Sequence, residues 1–262
     1  MSALPAGLRF AANLTMLFTE VPLIERFGRA RAAGFRAVEV QFLGDTPVDR
    51  VREELDRHEL ALALLNFDVG EFRGGDRGYL NDPAQADRWQ RALDEGLEAA
   101  RRLGVTRMNA MAGNLLPSVP ERVQHETIGE SLRKAAPAAA AAGVTIVTEA
   151  LNRFDHPRYA LTTSAAALEM LRRMNQPNVK LQYDTYHMQR MEGNLTETVT
   201  KNLQWIGHIQ VADVPGRHEP GTGEINFPFF LRAIAAAGYA GFIGLEYVPS
   251  GPTETTLGWM AM

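Results

Sequence analysis

Val179-Lys180-Leu181-Gln182-Tyr183-Asp184-Thr185-Tyr186-His187 is the stretch that decides how this chain is read. A short apolar run stops on a carboxylate, and an imidazole stands three residues further on. An unpaired buried carboxylate is costly, so a strand that ends on Asp184 requires a cation or hydrogen-bond donors at its tip. Three other strand-like runs end the same way: Val144–Thr148 runs into Glu149, Ile206–Ile209 into Gln210, and Phe242–Leu245 into Glu246. Taken singly, each acid reads equally well as a helix N-cap or one half of a surface ion pair. Four polar strand ends in consecutive units read as one oxygen-lined site.

Working outward, the same punctuation recurs along the chain. Strands are expected at Leu8–Asn13, Ala37–Val40, Leu60–Leu65, Thr106–Ala110, Val144–Thr148, Val179–Tyr183, Ile206–Gln210 and Gly241–Leu245. Helical spacing of apolar residues fills the gaps: Thr19–Ala33, Pro47–His58, Pro83–Leu103, Pro120–Ala142, Thr163–Met174, a helix from Asn194 or Thr196 to Trp205, and Pro228–Gly238. Pro137 is expected to kink the fourth helix, Thr163 or Ser164 to cap the fifth, and Glu254–Met260 to form a last short helix. The segment from Asn66 to Asp82 carries four glycines and is too long for a simple connection, so it is expected to be functional or mobile. Strand–helix alternation, eight times at about thirty residues per unit, implies parallel strands and crossover helices, the pattern of a (β/α)8 TIM barrel. An open doubly wound sheet is the alternative, but the first strand–helix turn lacks the glycine-rich dinucleotide fingerprint. No linker or charge block divides the chain, so residues 1–262 are expected to form a single domain.

Composition narrows the chemistry. The 262 residues are 45% hydrophobic, enough for a large core. There is no cysteine, which leaves only oxygen and imidazole ligands for a metal. A net charge of -4 gives no footprint for nucleic acid. No run approaches the ~18 apolar residues of a membrane span, and Met1–Phe10 does not read as a signal peptide. A cytoplasmic protein acting on a small molecule is expected; an exposed aromatic-rich tail near Trp259 is expected to make contacts, with a homo-oligomer possible.

At the mouth of a barrel, Glu149, Asp184, Gln210 and Glu246 would converge on one side. Three carboxylates there call for a hard divalent cation, Mg²⁺ or Mn²⁺. His187 is a candidate to bond a substrate oxygen or to orient Glu149; the plainer reading is a rim histidine bonded to backbone. His208, two residues before Gln210, shares its face and is a candidate to donate to substrate or to support the metal shell. Arg217 is a candidate clamp for a substrate carboxylate, with a solvated loop charge as its plainer reading, and Arg73 in the long third loop is a second candidate. Two glutamates beside a chelated hydroxycarbonyl compound suggest proton shuttling, hence isomerisation or epimerisation without nicotinamide.

Gln182-Tyr183-Asp184-Thr185-Tyr186-His187-Met188-Gln189-Arg190-Met191-Glu192-Gly193 resembles the hydroxypyruvate isomerase family, as do Ala12–Glu20 and Gly221-Thr222-Gly223-Glu224-Ile225-Asn226. The resemblance extends from Phe10 to Trp259. It implies a xylose isomerase-like TIM barrel that interconverts hydroxypyruvate and tartronate semialdehyde, chemistry of glyoxylate metabolism. It implies acid/base roles for Glu149 and Glu246, and metal ligation by Glu149, Asp184, Gln210 and Glu246. Related ketose 3-epimerases usually carry histidine at the third ligand position, where this chain has Gln210; an amide oxygen keeps the ligand set hard and argues against zinc. Six histidines in the whole chain argue against a DNA-repair enzyme of the endonuclease IV type, which binds several zinc ions. The remaining alternatives are a 2-oxo-tetronate isomerase, a ketose 3-epimerase, and a non-catalytic sugar-acid binding protein.

Overall fold

A computed structural model describes residue 5 and residues 7–261; part of the stretch read for a leader therefore lies outside the described residues. Eight parallel strands close into a barrel in sequence order. They are β1 Arg9–Asn13, β2 Ala37–Val40, β3 Ala61–Asn66, β4 Arg107–Asn109, β5 Thr145–Glu149, β6 Val179–Asp184, β7 Ile206–Val211 and β8 Phe242–Leu245. Pairing of Arg9 with Phe242 through Ala12 with Leu245 joins the last strand to the first, so no edge is left open. The expected architecture is the observed one. β2 and β7 are buried along their whole length, so the polar residues they carry, Glu39 in β2 and His208 and Gln210 in β7, lie inside the barrel wall and bond one another.

The helices are α1 Leu23–Ala32, α2 Val48–Arg57, α3 Ala86–Leu103, α4 Glu121–Ala141, α5 Ser164–Met174, α6 Thr185–Met191, α7 Leu195–Lys201 and α8 Phe227–Ala236. α3 buries Trp89, Leu93 and Ala100, with Leu97 partly buried beside them, and stops where Gly104 takes a left-handed φ of 70°. Thr163 caps α5 by accepting from the Ala166 amide at 3.2 Å, and Asn226 caps α8 by accepting from Phe229 at 3.1 Å.

Four local expectations are revised. α1 starts at Leu23 rather than Thr19, because Phe18 turns the chain with a φ of 58° and Pro22 stands extended at the cap. α4 runs unbroken through Pro137; in a helix of 21 residues one missing hydrogen bond is tolerated. The last short helix is a 3-10 segment, Thr253–Ala261, and Trp259, expected to be exposed there, is buried with its ring 5.6 Å from that of Phe10. Most consequential for the site, α6 begins directly after β6, so Asp184 is at once a strand end and a helix cap, accepting from the Tyr186 amide at 2.8 Å.

The barrel interior is not wholly apolar. Glu39 of β2 has no exposed surface and is held by His208 Nε2, by Gln210 Nε2 at 3.0 Å and by Asn13 Nδ2 at 3.3 Å. Gly244 of β8 makes the room for it: a Cβ there would overlap the Glu39 carboxylate. A side-chain-free residue in a central strand is thus explained by close approach of a neighbouring group.

Candidate active site

The C-terminal strand ends bring Glu149 (β5), Asp184 (β6), Gln210 (β7) and Glu246 (just past β8) to one end of the barrel, all buried. Ligand atoms of Glu149, Asp184 and His187 lie within 4.8 Å of one another, close enough to hold a metal ion. Glu246 is tied to Asp184 through Arg217, whose Nη2 lies 2.6 Å from Glu246 Oε2 and 3.3 Å from Asp184 Oδ2. The other Glu246 oxygen accepts from Gln41 Nε2. Glu149 Oε2 accepts from Gln182 Nε2 at 3.0 Å and Asn109 Nδ2 at 3.4 Å, while Glu149 Oε1 is buried with no partner.

Charge repulsion and burial act together here. Burial first, then the charges of Glu246 and Asp184, push the Glu149 carboxyl well above the usual carboxylate range. Burial likewise pushes the Asp184 carboxyl up, against the pull of Arg217. Burial alone would lower the Arg217 guanidinium, but Glu246, Asp184 and Glu149 together hold it above its ordinary value. The site is therefore a place built for positive charge, and in this chain Arg217 supplies some of it.

Arg217 is aimed by its loop. Its φ is 55°, a left-handed conformation uncommon for arginine. Asp213 organises the segment around it by accepting from the amides of Gly221 and Gly223, each at 2.9 Å, and Ile225 at 3.0 Å. Gly223 has no space for a Cβ, which would run into the Val214 carbonyl. The Gly-Thr-Gly-Glu-Ile stretch thus builds the scaffold that carries Arg217.

His187 has a defined tautomer. Its Nδ1 accepts from the Asn152 backbone amide at 3.1 Å, so the proton rides on Nε2, 3.6 Å from Asp184 Oδ2. Burial, and then Arg217, push its pKa well down, so the ring is neutral. In this tautomer Nε2–H is free to donate to a bound oxygen. The backbone bond of the plainer reading is present, although the residue is buried rather than on the rim.

The other two candidates are placed differently. His208 faces the interior as strand alternation requires, but it is wholly buried against Glu39, in register with Gln182 one layer below Gln210 and Asp184. It braces the interior rather than reaching a substrate. Arg73 is exposed on the third loop; the arginine of that loop that turns toward the site is Arg77, which donates from Nε to His156 Nδ1 at 3.3 Å. The His156 ring lies 5.6 Å from that of His187.

Several contributors went unread in the sequence. Gln182 links the site by donating to Glu149 and, at 2.6 Å, to Gln210 Oε1; it lies two residues before Asp184 and so shares its face. Glu39 and Gln41 carried the signal used elsewhere, a polar residue in or just past an apolar strand, applied to β2.

The donor set fits a hard divalent cation. It offers three carboxylates and one amide oxygen without sulfur, and one buried carboxylate oxygen is left unpaired. Gln210 Oε1 already accepts from Gln182 yet keeps a second lone pair.

Comparison with known proteins agrees with this fold. The family described as "Xylose isomerase-like TIM barrel" matches residues 27–261. The hydroxypyruvate isomerase of Escherichia coli (strain K12) is 38% identical over 253 residues, covering 97% of this chain and 98% of that one. The 2-oxo-tetronate isomerase of Cupriavidus necator is also 38% identical over 253 residues, covering 96% and 97%. A crystal structure titled AP endonuclease, family 2, from Brucella melitensis superposes with a TM-score of 0.94 at 37% identity, covering 97% of this chain and 98% of that one. The chain belongs to the xylose isomerase-like TIM barrel family. Within that family it is an isomerase of the aldose–ketose type, an intramolecular oxidoreductase. No helix among the described residues is long and apolar enough to cross a membrane.

Proposed function

We propose that the enzyme interconverts hydroxypyruvate and tartronate semialdehyde, with Mg²⁺ or Mn²⁺ held by Glu149, Asp184, Gln210 and Glu246. The observation that carries this reading is the clustering of the buried Glu149, Asp184 and Glu246 carboxylates at one end of the barrel, where Arg217 bridges Asp184 and Glu246 and its charge also reaches Glu149. Three buried carboxylates around one cation have no structural purpose that apolar residues would not serve better.

When bound, the divalent cation would supply Lewis acidity toward a carbonyl and its neighbouring hydroxyl, lowering the pKa of the C–H between them. The chain's own residues do the rest. One of Glu149 and Glu246 removes a proton from C3 of hydroxypyruvate, leaving an enediolate. The other delivers a proton to C2 while the proton of the C3 hydroxyl passes to the oxygen on C2, which yields the aldehyde with its secondary hydroxyl; no electrons leave the substrate. His187 Nε2–H and Arg217 are positioned to stabilise oxygens that gain charge during the transfer. Gln182 and Asn109 hold Glu149 in place, and Gln41 holds Glu246. A cytoplasmic setting and a part in glyoxylate metabolism go with this reading.

A 2-oxo-tetronate isomerase is the second reading, favoured by the equal identity of the two kinds of relative. The donor set argues against DNA repair with several zinc ions, since it offers three acids, one amide and a histidine committed to hydrogen bonding. A turnover panel separates the readings. Hydroxypyruvate, 2-oxo-tetronate and a ketohexose are each supplied with Mg²⁺, with Mn²⁺ or with a chelator. The proposal expects the highest kcat/KM with hydroxypyruvate and loss of turnover on chelation. A preference of tenfold or more for the four-carbon acid transfers the assignment to the second reading, and undiminished turnover in chelator removes the metal.

A further inference from the structure

Hydroxypyruvate carries a carboxylate, and Arg217, the cation expected to meet it, is already committed to Asp184 and Glu246. Arg190 lies nearby but is paired with Asp155, and a further cation beside the site's histidines is Arg77, on the loop that follows β3. This loop is not a loose flap. The Arg77 carbonyl accepts from the Gly113 amide at 2.9 Å, and Gly78 pairs with Ala112 beyond β4. Gly78 packs so closely that a Cβ would overlap the Met111 carbonyl. The backbone that carries Arg77 is thus fastened to the C-terminal end of β4.

The side chain is equally constrained. Nη1 donates to the carbonyls of Phe72 at 2.9 Å and Asp76 at 2.7 Å, and Nε donates to His156 Nδ1 at 3.3 Å. The guanidinium lies 4.0 Å from the centre of the Phe72 ring, itself stacked on Phe42 at 5.0 Å. Among the described residues Arg77 makes no ion pair with a carboxylate, and Nη2 makes no hydrogen bond. Its nearest acid, Asp76, turns a carboxylate oxygen to the Glu71 amide instead. Burial pulls the Arg77 pKa down; Tyr159 and Asp76 oppose that and the charge of Arg158 adds to it. A partly buried, braced guanidinium that makes no bond to a carboxylate keeps a charge-assisted bond in reserve.

His156 completes the arrangement. Burial, followed by the charges of Arg77 and Arg217, brings its pKa down to about 4, so the ring is neutral. With Nδ1 accepting from Arg77, the proton lies on Nε2, which has no partner among the described residues. Arg77 Nη2 and His156 Nε2–H are therefore two unused donors, next to the His187 that faces Asp184.

We propose that Arg77, braced by Phe72 and His156, binds the carboxylate of a short 2-oxo acid and so selects acids over neutral ketoses at this site. The proposal rests on the reading that the substrate is a hydroxy-oxo acid. An arginine suits the task because its planar fork meets a carboxylate on two nitrogens, which lysine cannot reproduce.

The test compares wild type, Arg77→Met, Arg77→Lys and the exposed control Arg73→Met. KM and kcat are measured with hydroxypyruvate, and the Kd of glycerate, an unreactive acid of the same length, is measured by calorimetry. Arg77→Met is expected to raise KM and the glycerate Kd by about 10- to 100-fold, the usual worth of a bond to a charged group. The change in kcat should be smaller than that in KM, Arg77→Lys should lie between, and Arg73→Met should match wild type. An unchanged glycerate Kd in folded Arg77→Met overturns the proposal. So does a fall in kcat as large as the rise in KM, because that marks a structural role. If Arg77→Met does not fold, Arg77→Lys decides the matter, and wild-type affinity for glycerate in that variant overturns it. Loss of glycerate binding in the Arg77 variants of an enzyme that does not turn over hydroxypyruvate keeps the anchor and rejects the reaction.

Discussion

Glu149→Gln and Glu246→Gln are each expected to lower kcat for isomerisation by about 10²- to 10⁴-fold, the range set by one lost general acid or base. Glu149→Gln keeps size and the accepting oxygen, so its melting temperature should hold or rise. Glu246→Gln takes a charge from the Arg217 pair and sets an amide NH2 against a donor, so its melting temperature should fall. A rise is the more telling result for Glu149, because an amide there removes one of three mutually repelling acids that burial already disfavours. The two variants should differ in detail. Glu246 is gripped on both oxygens, by Arg217 and by Gln41, whereas Glu149 has one oxygen free. Replacing Glu246 therefore disturbs Arg217 as well as the chemistry, and its KM should rise along with the fall in kcat. Steady-state kinetics checks this, and near-normal turnover in either variant removes that residue from proton transfer.

Arg217→Met carries the second large effect. In the metal-free protein Arg217 is the cation between Asp184 and Glu246. Removing one partner of a buried ion pair costs about 3 kcal/mol or more, because the charge left behind has no compensation. For a domain of this size that is a fall in melting temperature on the order of 5 °C or more. The penalty has a ceiling, since Glu149 and Asp184 can take up protons more readily than ordinary carboxylates. Mn²⁺ should restore most of the loss by supplying the missing charge, so the stabilisation on adding Mn²⁺ should exceed that of wild type. Thermal melts with and without Mn²⁺ decide this. A metal-free variant as stable as wild type would show that the acids do not depend on the guanidinium.

The barrel was legible because its cause is local and repeated. Each unit states a buried strand, a turn and an amphipathic helix, and eight repetitions leave few topologies. The four strand-end ligands were legible for a related reason: a carboxylate at the end of an apolar run contradicts its surroundings. Alternation reports which face a side chain takes but not its height in the barrel. His208 shares a face with Gln210 and still sits a layer too low, held by Glu39. Glu39 itself is an acid inside a strand, and nothing in β2 alone says that Gly244, two hundred residues away in β8, clears space for it. The loop arginines were undecidable from sequence, because a loop has no periodicity. Arg73 is exposed and Arg77 faces inward because Gly78 packs against Met111 and Gly113 bonds the Arg77 carbonyl. α6 was missed because a short helix that directly follows a strand reads as a continuation of the strand motif.

The fate of one hydrogen tests the central claim most directly. If one glutamate removes the C3 proton and the other supplies the proton at C2, the hydrogen that arrives at C2 cannot be the one that left C3. Hydroxypyruvate deuterated at C3 is turned over in ordinary water with wild-type enzyme and Mn²⁺, and the tartronate semialdehyde is trapped by reduction and analysed by NMR. The account predicts ordinary hydrogen at C2 in essentially every product molecule, drawn from solvent through the enzyme. Deuterium carried from C3 to C2 would show a direct shift within the substrate and would contradict a relay between two glutamates.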